Sequence, residues 1–159
     1  MNELIQELHD IEMIKQLKHR YFRAIDMADH GLLDSVFTDD ITVDYRGGTY
    51  VWEASGKKEI IQSLKYSFHS ETAAMHTGHH PEISIHDDVN ASGIWYLQDI
   101  FYNFNENALT QGTALYKDKY VKTEEGWRIN FSEYDRIIES VTPICLLYTS
   151  PSPRDSIAS

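Results

Sequence analysis

The side chain that stands out for its chemistry is an aspartate in the middle of an apolar strand pattern. Trp95, Leu97, Asp99 and Phe101 occupy alternate positions, so an extended strand would point all four to one face. A carboxylate on an otherwise apolar face is costly to bury unless it has a partner. The pattern therefore predicts that Asp99 faces a functional cavity.

Three histidines close together, His76, His79 and His80, invite comparison with a metal site. Adjacent strand residues point to opposite faces, so at most His76 and His80 could share one face. Zinc sites use three or four ligands, and the sequence contains no His-Glu-x-x-His motif. We therefore expect no metal, and we interpret these residues in terms of acid–base chemistry or structure.

The first long helical pattern carries two further polar candidates. Apolar residues recur at three- and four-residue steps over residues 10–29, with Asp10 as a predicted N-cap and Gly31 beyond the end. Tyr21 lies on the apolar stripe, which is also typical of a core tyrosine, and Asp26 could be a solvated residue near the helix end. Five residues separate them, so they lie roughly 140° apart around the axis. Spacing alone does not aim both into one pocket.

The rest of the chain predicts an α+β domain. Alternating residues from Ile41 to Tyr45 predict a strand ending at a Gly47-Gly48 turn, and the stripe from Ile60 to Phe68 predicts a second helix. Segments rich in β-branched and aromatic residues predict four more strands, over residues 74–87, 92–104, 110–122 and 126–138. The short turns between them favour antiparallel pairing. Helices followed by such a meander predict helices packed on one face of a sheet.

Charge argues against a nucleic-acid partner. The 159-residue chain has a formal net charge of -11, whereas nucleic-acid binding needs a basic patch. The densest basic cluster, around Lys15, Lys18 and Arg23, is interpreted as a solvated helix face. The N-terminus is acidic, and no apolar run approaches the ~18 residues of a membrane span. We expect a cytoplasmic protein with no membrane partner.

The end of the chain has an unusual composition. Residues 145–155 resemble one reading frame of a transposase-based sequencing adapter, so residues 145–159 are interpreted as disordered read-through and residues 1–144 as the domain. A natural Ser/Pro-rich tail is the alternative. Cys145 is the only cysteine, and on this interpretation the genuine chain has no thiol chemistry.

Four segments carry a resemblance to a known family: Ile14–Asp26, Met75–Ile83, Gly93–Asp99 and Tyr116–Tyr120. In this order and spacing they resemble the SnoaL-like family of the nuclear transport factor 2-like superfamily, and within it the bile acid 7α-dehydratases. The resemblance implies a cone-shaped α+β fold. Its curved antiparallel sheet would carry the N-terminal helices on the concave face.

The resemblance also implies a dehydratase-type site without a cofactor. The implied catalytic residues are Tyr21, Asp26, His76 and Asp99. The implied substrate contacts are Tyr45, His80, Trp95 and Tyr116. Members of the family often form dimers or trimers, so we expect a homo-oligomer.

Elimination of water beside a carbonyl needs a base, a donor to the developing enolate oxygen and an acid for the leaving hydroxyl. An imidazole with a pKa near ~6.5 suits the base and acid roles, so these are assigned to His76. Asp26 would orient the ring, and the Tyr21 hydroxyl would donate to the carbonyl, a contribution of about 3–4 kcal/mol for such donors. Asp99 would position the substrate or carry a second proton.

These roles predict a cofactor-independent lyase. It would dehydrate a hydroxylated cyclic carbonyl compound with a mostly apolar ring system, such as a steroid or polyketide. Two alternatives stay open. One is a ketosteroid-type isomerase or polyketide cyclase that uses related chemistry. The other is a non-catalytic member of the fold that binds a small ligand.

Overall fold

The computed structural model describes residues 2–145. The predicted read-through segment lies outside these residues except for Cys145, which is exposed. Within the described range the helices are α1 (Glu3–Asp26), a short 3-10 helix (Leu32–Ser35) and α2 (Lys57–Ser67). The strands are β1 (Phe37–Arg46), β2 (Val51–Ser55), β3 (Thr72–Ile85), β4 (Asn90–Asn103), β5 (Ala108–Thr123) and β6 (Gly126–Pro143).

The strands form one curved, unclosed sheet in the order β2-β1-β6-β5-β4-β3, which confirms the predicted α+β class. Four pairings are antiparallel, as short turns favour, whereas β1 pairs with β6 in parallel. That parallel pair joins strands far apart in the chain, so no turn signal could predict it. Within residues 2–145 neither α-helix is long and apolar enough to cross a membrane.

Irregular pairing bends the sheet around the helices. Register shifts interrupt the pairing of β3 with β4 between His79 and Glu82, where β3 has the extra residue, and the pairing of β5 with β6 between Thr113 and Ala114, where β6 has it. Such bulges add an unpaired residue and curve the strand that carries them. Helix α1 packs against β3 and β6 on the concave side, as the family resemblance implied.

The bounds of α1 differ from the prediction. The helix begins at Glu3, and the Asn2 side chain caps it by accepting from the Leu4 amide at 3.1 Å. Its first two turns expose most of their side chains, including the apolar Leu4, Ile5 and Leu8. Asp10 is instead buried and accepts a hydrogen bond from Trp127 Nε1 at 2.9 Å. Past the helix end it is Ala28, not Gly31, that adopts a left-handed conformation, with φ of 53°.

The core lies between α1 and the concave face of the sheet. The apolar stripe of α1 is buried as predicted, because its three- and four-residue steps place these side chains on one side of the helix. The strands bury alternate residues against it, for example Trp95 and Leu97 of β4. The other buried core residues that contribute to this layer include Ile14, Leu17, Phe22, Ile25, Ala114 and Ile129.

A tight contact between α1 and β3 gives a test of this packing. A Cβ atom added at Gly78 would overlap the Phe22 ring, so we expect Gly78→Ala to lower the free energy of unfolding by about 1–3 kcal/mol. At Gly31 the nearest heavy atom to an added Cβ is 3.7 Å away, so Gly31→Ala should change it by less than about 0.5 kcal/mol. Urea denaturation measures both. Equal effects would contradict the described packing.

Candidate active site

A cavity of about 620 Å³ opens between α1, α2 and the sheet. Its volume lies within the range of small-molecule pockets. Aromatic side chains make up much of its wall: Tyr45, Trp52, Phe68, Phe101, Tyr116 and Tyr134. The polar groups that face it include Tyr21, His76, Asp99 and Arg136. The site is therefore a mostly aromatic hollow with a few polar groups.

His76 and Asp26 form a tight pair at one side of this cavity. His76 Nδ1 lies 2.6 Å from Asp26 Oδ1, and the second carboxylate oxygen accepts from the His76 backbone amide at 3.0 Å. A carboxylate only accepts, so in the neutral ring Nδ1 carries the proton and Nε2 keeps the lone pair. The side chains of His76 and Asp26 are 9% and 19% exposed, so the pair is largely shielded from water.

Two phenyl rings hold the imidazole in place. Phe22 stacks on the His76 ring with centroids 6.0 Å apart, and Phe68 meets it edge-on at 5.6 Å. Asp26, in the last turn of α1, is not among the residues that line the cavity. It contacts His76 through Nδ1, the ring nitrogen hydrogen-bonded to its carboxylate. The arrangement leaves a singly oriented imidazole whose free nitrogen can take up a proton.

Tyr21 also lines the cavity, five residues before Asp26 on α1. Its hydroxyl is 3.4 Å from the Tyr45 hydroxyl. Burial raises the pKa of Tyr21 to about 12, although hydrogen bonds with Tyr45 and Tyr116 oppose the shift. Tyr21 thus stays protonated near neutral pH and can donate to an oxygen in the cavity.

Asp99 lies in the cavity wall and is paired with Arg136, a residue that the sequence interpretation did not include. Both Asp99 oxygens accept from the guanidinium, Oδ1 from Nη1 and Oδ2 from Nη2 at 2.8 Å. Burial opposes the charge on Arg136, but the bonds to Asp99 outweigh it and raise the guanidinium pKa. With both oxygens engaged, Asp99 suits positioning better than proton transfer.

A second buried ion pair lies under the cavity floor. Lys18 Nζ donates to Asp118 Oδ2 at 2.7 Å, and neither side chain is exposed. The prediction that Lys18 belongs to a solvated face is therefore wrong, because its partner on β5 lies 100 residues away in sequence. Burial lowers the pKa of Lys18, and Asp118 opposes that shift.

The other predicted substrate contacts are divided. Tyr45 and Tyr116 line the cavity, whereas Trp95 and His80 are not among its lining residues. Trp95 is buried, and its Nε1 donates to Tyr120 Oη at 2.9 Å.

His80 is exposed, and its Nδ1 lies 2.8 Å from Nδ1 of His79. The expectation that these neighbouring histidines point to opposite faces is wrong, because the bulge in β3 gives His80 a φ of 50°. Across residues 2–145, His, Cys, Asp and Glu side chains form no group of three or more that could hold a metal ion.

A signal for Arg136 was present in the sequence. Ser132, Tyr134 and Arg136 alternate along β6, so they share a face by the period of two. A cation on the same face as a buried tyrosine is a natural partner for a carboxylate on an apolar face. The pairing itself needs the register of β4, β5 and β6, which sequence alone does not give.

The architecture is a nuclear transport factor 2-like α+β fold, with a cavity of small-molecule size between its helices and its curved sheet. The chain belongs to the SnoaL-like domain family, whose model matches residues 6–133.

Solved structures with low sequence identity share the fold. A protein provisionally named a scytalone dehydratase from Novosphingobium aromaticivorans has a TM-score of 0.74 at 18% identity and covers 92% of each chain. Hexachlorocyclohexane dehydrochlorinase LinA-type3 from Novosphingobium barchaimii has a TM-score of 0.70 at 15% identity, over 92% of this chain and 98% of its own. A nuclear transport factor 2-like superfamily protein from Salmonella enterica has a TM-score of 0.66 at 17% identity, over 77% and 87%.

A buried arginine–aspartate pair, Arg136 with Asp99, can be compared with an exposed one, Arg46 with Asp44, to test the cost of the buried charge. The Arg136 side chain is 9% exposed, and we expect Arg136→Met to lower the free energy of unfolding by about 3–5 kcal/mol because Asp99 stays buried without its cation. Arg46 is 52% exposed beside Asp44, so Arg46→Met should cost about 0–1 kcal/mol. Urea denaturation gives both values. Similar losses would show that Asp99 does not depend on Arg136.

Proposed function

We propose that the protein is a cofactor-independent lyase that removes water from a hydroxylated cyclic carbonyl compound with a mostly apolar ring system, such as a steroid or polyketide. The observation that carries the proposal is the His76–Asp26 pair, 2.6 Å between Nδ1 and Oδ1, beside an aromatic cavity. A histidine held in one tautomer by a carboxylate is suited to general acid–base catalysis.

The proposed reaction assigns roles to three groups: His76, Tyr21 and the Asp99–Arg136 pair. His76 Nε2 takes the proton from the carbon next to the carbonyl, while Tyr21 donates a hydrogen bond to the oxygen that becomes an enolate. The enolate then re-forms the carbonyl and expels the hydroxyl from the β carbon. The protonated His76 gives its proton to that hydroxyl, so that water leaves and the histidine is restored. The paired Asp99 and Arg136 would position the substrate without taking up a proton.

Two further observations support elimination chemistry. Two structural neighbours carry the names dehydratase and dehydrochlorinase, and both names denote lyases that eliminate a small molecule. The aromatic wall suits a planar or ring-shaped substrate, because stacked and edge-on contacts with ring systems are favourable. The same base and donor could also move a double bond, so an isomerase is the nearest alternative activity.

The test is turnover of a panel of 3-oxo steroids and cyclic hydroxy ketones by the full chain, with loss of water followed by mass spectrometry. We expect His76→Ala to lower kcat by about 10²–10⁴-fold and Tyr21→Phe by about 10²–10³-fold. Asp26→Asn should also slow the reaction, because the amide can donate to Nδ1 and so favour the wrong tautomer. His9→Gln and Asp40→Asn, both exposed, are matched controls that should keep wild-type rates.

The outcomes separate the alternatives. Tight binding of these compounds without turnover would contradict the enzyme proposal and favour a non-catalytic ligand-binding protein. A shifted double bond without loss of water would indicate an isomerase. Water loss that neither His76→Ala nor Asp26→Asn slows would show that the reaction uses another site.

A further inference from the structure

A chain of buried polar groups runs from the cavity into the interior. Tyr45 Oη lies 3.0 Å from Ser132 Oγ, and Ser132 Oγ lies 2.7 Å from Asp118 Oδ1. Asp118 also binds Lys18, and Tyr21 touches the other end of the chain at Tyr45. Ser132, Asp118 and Lys18 are each 2% exposed or less, and the proposed reaction assigns them no role.

The direction of these hydrogen bonds is fixed from the buried end. The Trp95 indole nitrogen can only donate, so Tyr120 Oη accepts from it and must direct its own proton elsewhere. That proton goes to Asp118 Oδ2 at 2.9 Å, where the Lys18 ammonium also donates. An ionised carboxylate accepts only, and its other oxygen, Oδ1, accepts from Ser132.

The direction of the hydrogen bonds at Asp118 also fixes the direction of the hydrogen bond that Tyr45 makes at the cavity. Ser132 has one hydroxyl proton and donates it in the hydrogen bond to Asp118. Toward Tyr45, Ser132 Oγ can therefore only accept. The single proton of Tyr45 therefore points away from the cavity. Tyr45 presents a lone pair to Tyr21, whose hydroxyl lies 3.4 Å away.

We propose that Ser132, held by Asp118 and Lys18, is a positioning residue that prevents Tyr45 from donating into the cavity. Of these two phenols only Tyr21 then has a proton available to the cavity. Without ligand that proton can rest on Tyr45 Oη, and in the proposed reaction it turns to the substrate oxygen instead. Tyr116, which also hydrogen-bonds Tyr21, is not linked to Ser132 by this chain. The inference rests on the proposed role of Tyr21 as donor.

The direct test follows the Tyr45 hydroxyl proton by NMR in the full chain without ligand, with its signal assigned by loss in Tyr45→Phe. We expect a proton protected from exchange, with a cross-peak to the Ser132 β protons. Ser132→Ala should abolish the protection, whereas Ser140→Ala, an exposed serine on the same strand, should keep it. A freely exchanging Tyr45 proton, a cross-peak to Tyr21 instead, or protection that survives Ser132→Ala would overturn the proposal.

Ser132→Thr covers the case in which Ser132→Ala does not fold. Threonine keeps the hydroxyl, so it should keep the protected Tyr45 proton, and its loss in a folded Ser132→Thr protein would contradict the assignment. If neither variant folds, the cross-peak between the Tyr45 hydroxyl proton and the Ser132 β protons in the wild-type protein decides whether Tyr45 donates to Ser132.

A second measurement uses 2-naphthol, a planar ring alcohol whose anion resembles an enolate, in a fluorescence titration. Tyr21→Phe should weaken its binding about tenfold or more through loss of the donor. Adding Ser132→Ala to Tyr21→Phe should restore part of that affinity, because the freed Tyr45 proton can now turn toward the cavity. A merely structural role for Ser132 predicts the opposite, a double variant that binds no better than Tyr21→Phe.

The two measurements distinguish the inference from the proposed function. If the wild-type protein does not bind 2-naphthol, that result would count against the proposed enolate site. The NMR result would still decide the direction of the hydrogen bonds. A double variant that binds naphthol no better than Tyr21→Phe would overturn the role of Ser132 even if the lyase reaction is found.

Discussion

The buried contact between Lys18 and Asp118 fixes the position of helix α1 over the sheet. Two charges taken out of water are favourable only when their geometry is good and the remaining lone pairs are satisfied. Asp118 meets that condition, because Lys18, Ser132 and Tyr120 all donate to it. The donors come from α1, β5 and β6, so one carboxylate ties the helix to the middle of the sheet.

From that fixed point the helix can serve two sides of the cavity. Tyr21 follows Lys18 by three residues and reaches toward Tyr45 of β1, while Asp26 reaches His76 of β3. Their wide angular separation on the helix is useful here because the concave sheet surrounds α1, so that side chains on different sides of the helix can each meet a strand. The proposed donor and the partner of the proposed base therefore come from a single rigid element.

Buried charges in and around the cavity face opposite charges, and Arg136 faces two carboxylates, because its Nε also lies 3.6 Å from Glu139 Oε2. Arg136 neutralises Asp99 in the wall, and Lys18 neutralises Asp118 beneath the floor. His76 donates through Nδ1 to Asp26, and within residues 2–145 no protein group bonds its Nε2. In a cavity lined with aromatic rings, that nitrogen is the group best suited to accept a proton, which is why the proposed mechanism centres on it.

The types of most elements and their apolar faces could be predicted from the sequence, because periods of 3.6 and 2 residues are local properties of the chain. It predicted the α+β class, the buried stripe of α1 and the unusual aspartate on β4. The tertiary structure decided which polar groups meet. Arg136 lies 37 residues from Asp99 and Asp118 lies 100 residues from Lys18, so these pairs depend on strand register and on helix placement. The same holds for the bulge at His80, since a local pattern carries no information about a distant partner.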